Sequence, residues 1–215
     1  MIAAEAGRAV TLRRPTIEEL AFRRDLLADP ASMSYNVRWE LDFPGYDNES
    51  GGLPFHEDAW PNVLSAWSKP GCREYFLAFV DDQPVGHAHY SVIDDAAHIG
   101  VNILGRLRGR GYGTSVLAAL VDVVWSNTDV REIVNDVPTK RIDADRMHAR
   151  LGFERDGDHL TMRRPGSHHG RSRQWSASPT SGRRQTGRTS APSLRVVAGP
   201  EPARGTDRHR MPPAR

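Results

Sequence analysis

One twelve-residue segment limits the fold more than any other: Ile103-Leu104-Gly105-Arg106-Leu107-Arg108-Gly109-Arg110-Gly111-Tyr112-Gly113-Thr114. A strand-like apolar run ends, three glycines follow within five residues, and a helix of regular pitch begins. Leu117, Leu120, Val121 and Val124 fall at i, i+3, i+4 and i+7, the stripe of a helix that buries one face. Glycine lets backbone N–H groups approach a ligand that a Cβ would hold away. A helix N-terminus adds unpaired donors and a partial positive charge. Together these read as a phosphate or pyrophosphate site, with Arg106, Arg108 and Arg110 as nearby cations. A bare strand-to-helix turn is the competing reading. A dinucleotide fingerprint fails on spacing, since Gly109-x-Gly111-x-Gly113 is not G-x-G-x-x-G. A P-loop fails because Gly113, not lysine, precedes Thr114.

Around this segment the chain reads as an α+β domain. Val10–Arg14 alternates like a short strand. Thr16 with Glu19 forms a capping box opening a helix over Ile17–Ala28, which stops before Pro30. Residues 31–58 read as irregular, rich in aromatics (Tyr35, Trp39, Phe43, Tyr46, Phe55), and a helix over Glu57–Trp67 follows. Tyr75–Val80, Val85–Ile93 and Ala97–Leu104 form an antiparallel meander, with turns at Asp81–Pro84 and Asp94-Asp95. After the glycine loop and its helix come a strand at Glu132–Asn135 and a helix marked by Ala144, Met147, His148 and Leu151. Gly152 ends that helix, and Phe153–Arg155 and Leu160–Arg163 form a last pair of strands.

Charge divides the chain. Its 29 basic and 27 acidic residues nearly cancel. Residues 166–215, however, hold ten arginines against Glu201 and Asp207, a net of +8 that leaves −6 on residues 1–165. The last fifty residues are dominated by Ser, Gly, Pro, Thr and Arg and lack the apolar surface to offset backbone entropy. The expectation is one domain over 1–165 and a disordered tail over 166–215. A nucleic-acid-binding tail is an alternative, but aromatic interleaving is missing beyond Trp175 and the arginine bias is global, 27 Arg to 2 Lys. The single Cys72 excludes an intrachain disulfide framework and any multi-cysteine metal site. No apolar run spans a bilayer, and Met1–Gly7 lacks the plan of a secretory signal. A soluble cytoplasmic protein without a membrane partner is expected.

Arg108-Gly109-Arg110-Gly111-Tyr112-Gly113 resembles the R/Q-x-x-G-x-G/A motif of the GNAT family of N-acetyltransferases, and it lies where that family has it, between the fourth strand and the third helix. Ala144-x-x-Met147-His148-x-x-Leu151-Gly152-Phe153 is similar to the family's A-x-x-L-Y-x-K-L-G-F ending, and Val85-Gly86 and Ala97–Val101 fit its meander. The resemblance covers about residues 9–164. It implies the acyl-CoA N-acyltransferase fold, a mixed, mainly antiparallel central sheet flanked by helices. It also implies acetyl-CoA as co-substrate without a metal, and transfer of acetyl to an amine of a small molecule or peptide by a monomer or homodimer. Backbone amides from Gly109 to Gly113, with Arg108, Arg110, Tyr112 and Thr114 beside them, would hold the pyrophosphate. The strand edge at Val101, Asn102 and Ile103 would pair with the pantetheine arm, where a backbone N–H polarises the thioester. Arg141 stands where an Asn often touches the pantetheine, and His148 where the family's thiolate-protonating Tyr stands. His148 also shares the apolar stripe of Ala144 and Leu151, so a packed structural role competes with an acid's. A CoA-sensing module without turnover is the alternative from another class.

The remaining candidates are histidines. If Asp94-Asp95 is a two-residue loop, Ser91 lies opposite His98, His89 opposite Gly100, and His87 opposite Asn102, all on one face. That row fits a base or water relay centred on His98 and His89, a solvated sheet face, or an incomplete metal site with two imidazoles and no evident third ligand. By the family analogy Tyr35 and Asn36 would lie over the acceptor pocket.

Overall fold

A computed structural model describes residues 9–38 and 43–165. One sheet organises them. β1 (Thr11–Arg13), β3 (Arg73–Val80), β4 (Gln83–Ile93), β5 (Ala96–Ile103), β6 (Glu132–Asp136), β8 (His159–Arg163) and β7 (Glu154–Asp156) lie side by side in that order, and the two-residue β2 (Ser68–Lys69) adds to β3. Pairing is antiparallel throughout except β5 with β6. The helices are α1 (Leu20–Ala28), α2 (Pro30–Met33), α3 (Trp60–Ala66), α4 (Tyr112–Asn127) and α5 (Ile142–Ala149).

The Thr16–Glu19 capping box is formed: the Thr16 N–H donates to Glu19 Oε2 at 2.9 Å, and the Glu19 N–H to Thr16 Oγ1 at 3.4 Å. The turn it closes leads into α1 through three i→i+3 bonds, so the regular helix starts at Leu20 rather than Ile17. The segment after Pro30 corrects the expectation of irregular chain. Asp29 accepts from the N–H groups of Ala31 and Ser32, and Pro30 occupies the first helical position, so α2 forms at once. Proline there needs no N–H partner. The first hairpin is also tighter than expected: Asp81 and Asp82 both take positive φ, which suits the twist of a two-residue connection, and β4 begins at Gln83. Trp39 and residues 166–215 lie outside the described residues.

Period-two alternation gives the sheet two unlike faces. Phe76, Ala78, Ala88, Tyr90 and Ile99 pack beneath Val116, Leu117, Leu120 and Val124 of α4 in one aliphatic-rich core. Tyr75, Leu77 and Phe79 point the other way, to Leu20 of α1 and to Trp60 and Trp67 around α3. The charge on the α4 face is fully matched. Glu74, at 0% exposure, accepts from Arg14 at 2.8 Å and from Tyr90 Oη at 2.5 Å. Tyr90 in turn accepts the Gly71 N–H at 3.1 Å.

Candidate active site

The parallel β5–β6 ladder is short: Ala96, Ala97 and His98 pair with Glu132, Ile133 and Val134, and pairing ends there. β5 continues to Ile103, so from Ile99 onward its edge towards β6 has no ladder partner, and the two strands diverge around a fork whose apex is His98. Val101 and Ile103 thus carry backbone donors and acceptors free to pair with an extended ligand, while those of Asn102 between them turn to β4. The glycine loop follows directly.

The three glycines divide by role. Gly109 and Gly111 have φ of 76° and 87°, and a Cβ at either would meet nothing within 4 Å. Both therefore need glycine's left-handed conformation and both face open space. A Cβ on Gly113 would instead sit 3.0 Å from Met147 Sδ, so this glycine brings α4 close to α5. Gly111 caps α4 without a side-chain hydrogen bond, and the first turn carries no acid. The opening N–H groups, from Tyr112 to Thr114, are left for an anion, as a CoA pyrophosphate requires. The Tyr112 side chain is buried in the core, so only its backbone serves the loop.

The arginines differ from expectation. Arg108 is turned inward, donating to Ser32 O, to Ser34 Oγ at 3.1 Å and to Asn102 Oδ1 at 3.3 Å. It fastens α2 to the end of β5 instead of facing the loop's open side. Arg106 lines a cleft of about 440 Å³ between α1 and the loop, shared with Asp25 and Asp29. Arg106 and Arg110 are both exposed and without an ion pair among the described residues. Arg141 donates to the Tyr35 carbonyl at 2.6 Å and lies 4.5 Å over its ring, with Arg108 on the same ring at 6.0 Å. Burial lowers Arg141 to about 10. Tyr35 therefore bridges the loops that follow β5 and β6, across the open end of the fork.

The β4–β5 register is the expected one: Ser91 opposite His98, His89 opposite Gly100, His87 opposite Asn102. The reading of that row as a solvated face is corrected, because His87, Ser91 and Asn102 are buried. Asn102 donates to Met33 Sδ at 3.4 Å. His87 Nδ1 is 2.9 Å from Tyr75 Oη, and desolvation holds its pKa well below the ordinary imidazole value. Desolvation, with Arg23 and Arg73 adding repulsion, lowers His89 to about 3. Both rings are neutral at physiological pH and neither can keep an amine's proton there. His98 is part-exposed and makes no side-chain hydrogen bond among the described residues.

His148 is 1% exposed. Its Nδ1 lies 2.7 Å from Ala144 O, which can only accept, so Nδ1 carries the proton; Nε2, 2.9 Å from Asn135 Nδ2, then accepts. Burial lowers its pKa, so the ring is neutral and its one N–H is spent on the backbone. This arrangement suits the packed role and leaves no proton for a thiolate. Among the described residues no group of three or more His, Cys, Asp or Glu could hold a metal, and no helix is long and apolar enough to cross a membrane.

Several residues of this region escaped the sequence reading: Arg23, Ser32, Trp67, Tyr75 and Asn135. For Arg23 a signal existed, since Leu20, Arg23 and Leu27 share a helical face. For Ser32 and Asn135 only the tertiary fold supplies one.

The pattern of the Acetyltransferase (GNAT) family matches residues 34–153. Aminoglycoside N(6')-acetyltransferase type 1 of Klebsiella pneumoniae is 25% identical over 187 residues, covering 80% of this chain and 88% of that protein. In three dimensions, AAC(6')-Ib in complex with ribostamycin and coenzyme A superposes with a TM-score of 0.58 at 19% identity, over 73% of this chain and 94% of the other. Spermidine N-acetyltransferase of Vibrio cholerae, in complex with CoA and spermine, gives 0.58 at 14% identity over 72% and 95%. These structural likenesses establish the fold.

Proposed function

The chain belongs to the GNAT family of acetyltransferases and is an acetyl-CoA-dependent N-acetyltransferase; from that premise we propose that its acceptor is the primary amine of a small molecule. The amine nitrogen attacks the thioester carbon, a C–N bond forms and the C–S bond breaks. The ammonium loses two protons, one ending on the CoA sulfur and one in solvent. Acetyl-CoA supplies the activated acyl group, and this chain supplies position and proton handling. The N–H groups at the start of α4, opened by Gly109 and Gly111, would hold the pyrophosphate with Arg110 beside them. The unpaired edge of β5 at Val101–Ile103 would align the pantetheine arm, and a backbone N–H there would bear on the developing oxyanion.

For the amine's proton we favour His98, which stands at the apex of the fork with no competing side-chain hydrogen bond among the described residues. His89 and His87 are held neutral by burial, and His148 has no proton to give, so the thiolate takes its proton from solvent. The observation that carries the reading is the uncapped N-terminus of α4 with two open, left-handed glycines beside an unpaired strand edge.

Calorimetric titration of acetyl-CoA tests it. Gly111→Glu fills the cradle with a carboxylate at a positive-φ position and should weaken binding more than 100-fold; undiminished affinity would sink the assignment. His98→Gln should lower kcat on an amine substrate by about 10²–10⁴-fold, the usual share of general base catalysis. An unaltered kcat would dismiss His98.

A further inference from the structure

Side-chain polar atoms buried without a hydrogen-bond partner are rare in a folded chain and ask for a reason. Among the described residues four exist, and three of them, Arg23 Nε, Trp67 Nε1 and His89 Nδ1, belong to one neighbourhood. The Arg23 guanidinium lies 4.5 Å from the Tyr75 ring and 4.9 Å from the Phe55 ring. Trp67, at 2% exposure, meets His89 edge-on at 4.9 Å and carries the Arg73 guanidinium 4.9 Å over its ring. Neither Arg23 nor Arg73 has a carboxylate partner among the described residues. The adjacent Arg24 shows the ordinary alternative, donating to Asp25 at 2.9 Å and Glu57 at 2.7 Å on the outside of α1. Arg23 thus turns a cation inward where no anion of the described residues meets it.

The neighbourhood is rich in donors and short of acceptors. It holds two guanidiniums, an indole N–H and neutral imidazoles, and its aromatic walls add area without competing charge. Such a set matches a carboxylate, whose two oxygens accept in the fork geometry guanidinium offers. Its position gives the match a purpose. His89 is on β4, the strand next to β5, and neighbouring strands are about 4.8 Å apart. His89 therefore lies roughly one strand spacing from β5, where acetyl would be delivered, and Arg73 on β3 roughly two, on the same face as His98. Gly100 keeps this geometry possible, because a Cβ there would collide with the His89 ring.

We propose that the Arg23–Trp67–Arg73 cluster is a carboxylate subsite, so that the acceptor is an amine that also carries a carboxylate, of the size of an amino acid. The inference rests on the acetyl-transfer reading and narrows it: the two inward arginines repel a polycation and attract an amino acid.

Turnover of acetyl-CoA by the full chain, measured as CoA released, tests this with matched acceptors, each amino acid against its decarboxylated amine. The carboxylated member should show at least tenfold higher kcat/KM for the best pair. Arg23→Met should raise KM for that acceptor at least tenfold with kcat within threefold. Trp67→Phe, which keeps an aromatic wall and removes only one donor, should raise it severalfold. Arg24→Met should leave both constants as they are. Turnover that is equal or better with decarboxylated amines would overturn the subsite while leaving acetyl transfer intact. So would a carboxylate preference that survives both Arg23→Met and Trp67→Phe. If no acceptor turns over although acetyl-CoA binds, acetyl transfer to these amines fails, and calorimetric titration of the amino acids into CoA-loaded protein decides the subsite. Binding lost in Arg23→Met or Trp67→Phe supports it, and no binding refutes it.

Discussion

The two faces of the sheet obey opposite rules although their residues alternate along the same strands. On the α4 face Ala88 and Tyr90 sit in an aliphatic core, and the one buried charge, Glu74, is met by Arg14 and Tyr90. On the α1 face their neighbours His87 and His89 share a pocket with Arg23, Tyr75 and Trp67, where three polar atoms have no partner among the described residues. Burying a polar atom without a partner costs about 1–3 kcal/mol. A face that tolerates three such groups is not optimised for stability, while its opposite is. The difference marks α4 and its face as the scaffold and the α1 face as the place where a ligand completes the bonding.

The largest effect should come from the scaffold. Leu120→Ala removes a side chain at 0% exposure from under α4 and should cost roughly 2–5 kcal/mol in urea unfolding. A cost below 1 kcal/mol would mean that this face is no better packed than the other, and the contrast would collapse.

Acid should probe the α1 face selectively. His89 is held near 3 in the folded chain against 6.5 ordinarily, so the unfolded chain takes up the proton first. Stability from keeping this ring neutral is then full above pH 6.5 and is lost as pH falls towards 3. At pH 5 the loss reaches about 2 kcal/mol for this one residue, from 1.36 kcal/mol per unit. His87 and His148 are shifted in the same direction, so His89→Gln should reduce the acid sensitivity without abolishing it. Identical stability–pH curves for wild type and variant between pH 7 and 5 would contradict the burial assigned to this ring.

The same contrast explains what the sequence could and could not disclose. The pairing of His87, His89 and Ser91 with Asn102, Gly100 and His98 was readable because a two-residue loop fixes register and register fixes face. The Gly109–Gly111 loop was readable because its conformational demand is local. Whether the histidine face was dry was not readable, since that depends on α1 and α3 closing over it from distant parts of the chain. Arg108 looked free for the same reason: Ser32 and Ser34, which occupy it, lie on α2. α2 itself was legible in Asp29-Pro30, whose pairing of a capping carboxylate with a first-turn proline starts a helix as readily as it ends one.

The smallest predicted effect is the sharpest test of the comparison. Truncating a buried Trp usually costs 3–5 kcal/mol when it goes to Ala, and a conservative change to Phe in a well-bonded core still forfeits area and a hydrogen bond. Trp67 is 2% exposed, but its indole N–H has no hydrogen-bond partner among the described residues. Trp67→Phe therefore loses some ring contact with His89 and Arg73 while relieving a buried donor worth about 1–3 kcal/mol. The two terms oppose, and the net change in unfolding free energy should stay within about 1 kcal/mol of zero. An orphaned donor that costs stability persists only where something other than stability holds it in place. A loss above 2 kcal/mol would show instead that Trp67 is ordinary core, and the two faces would differ only in composition.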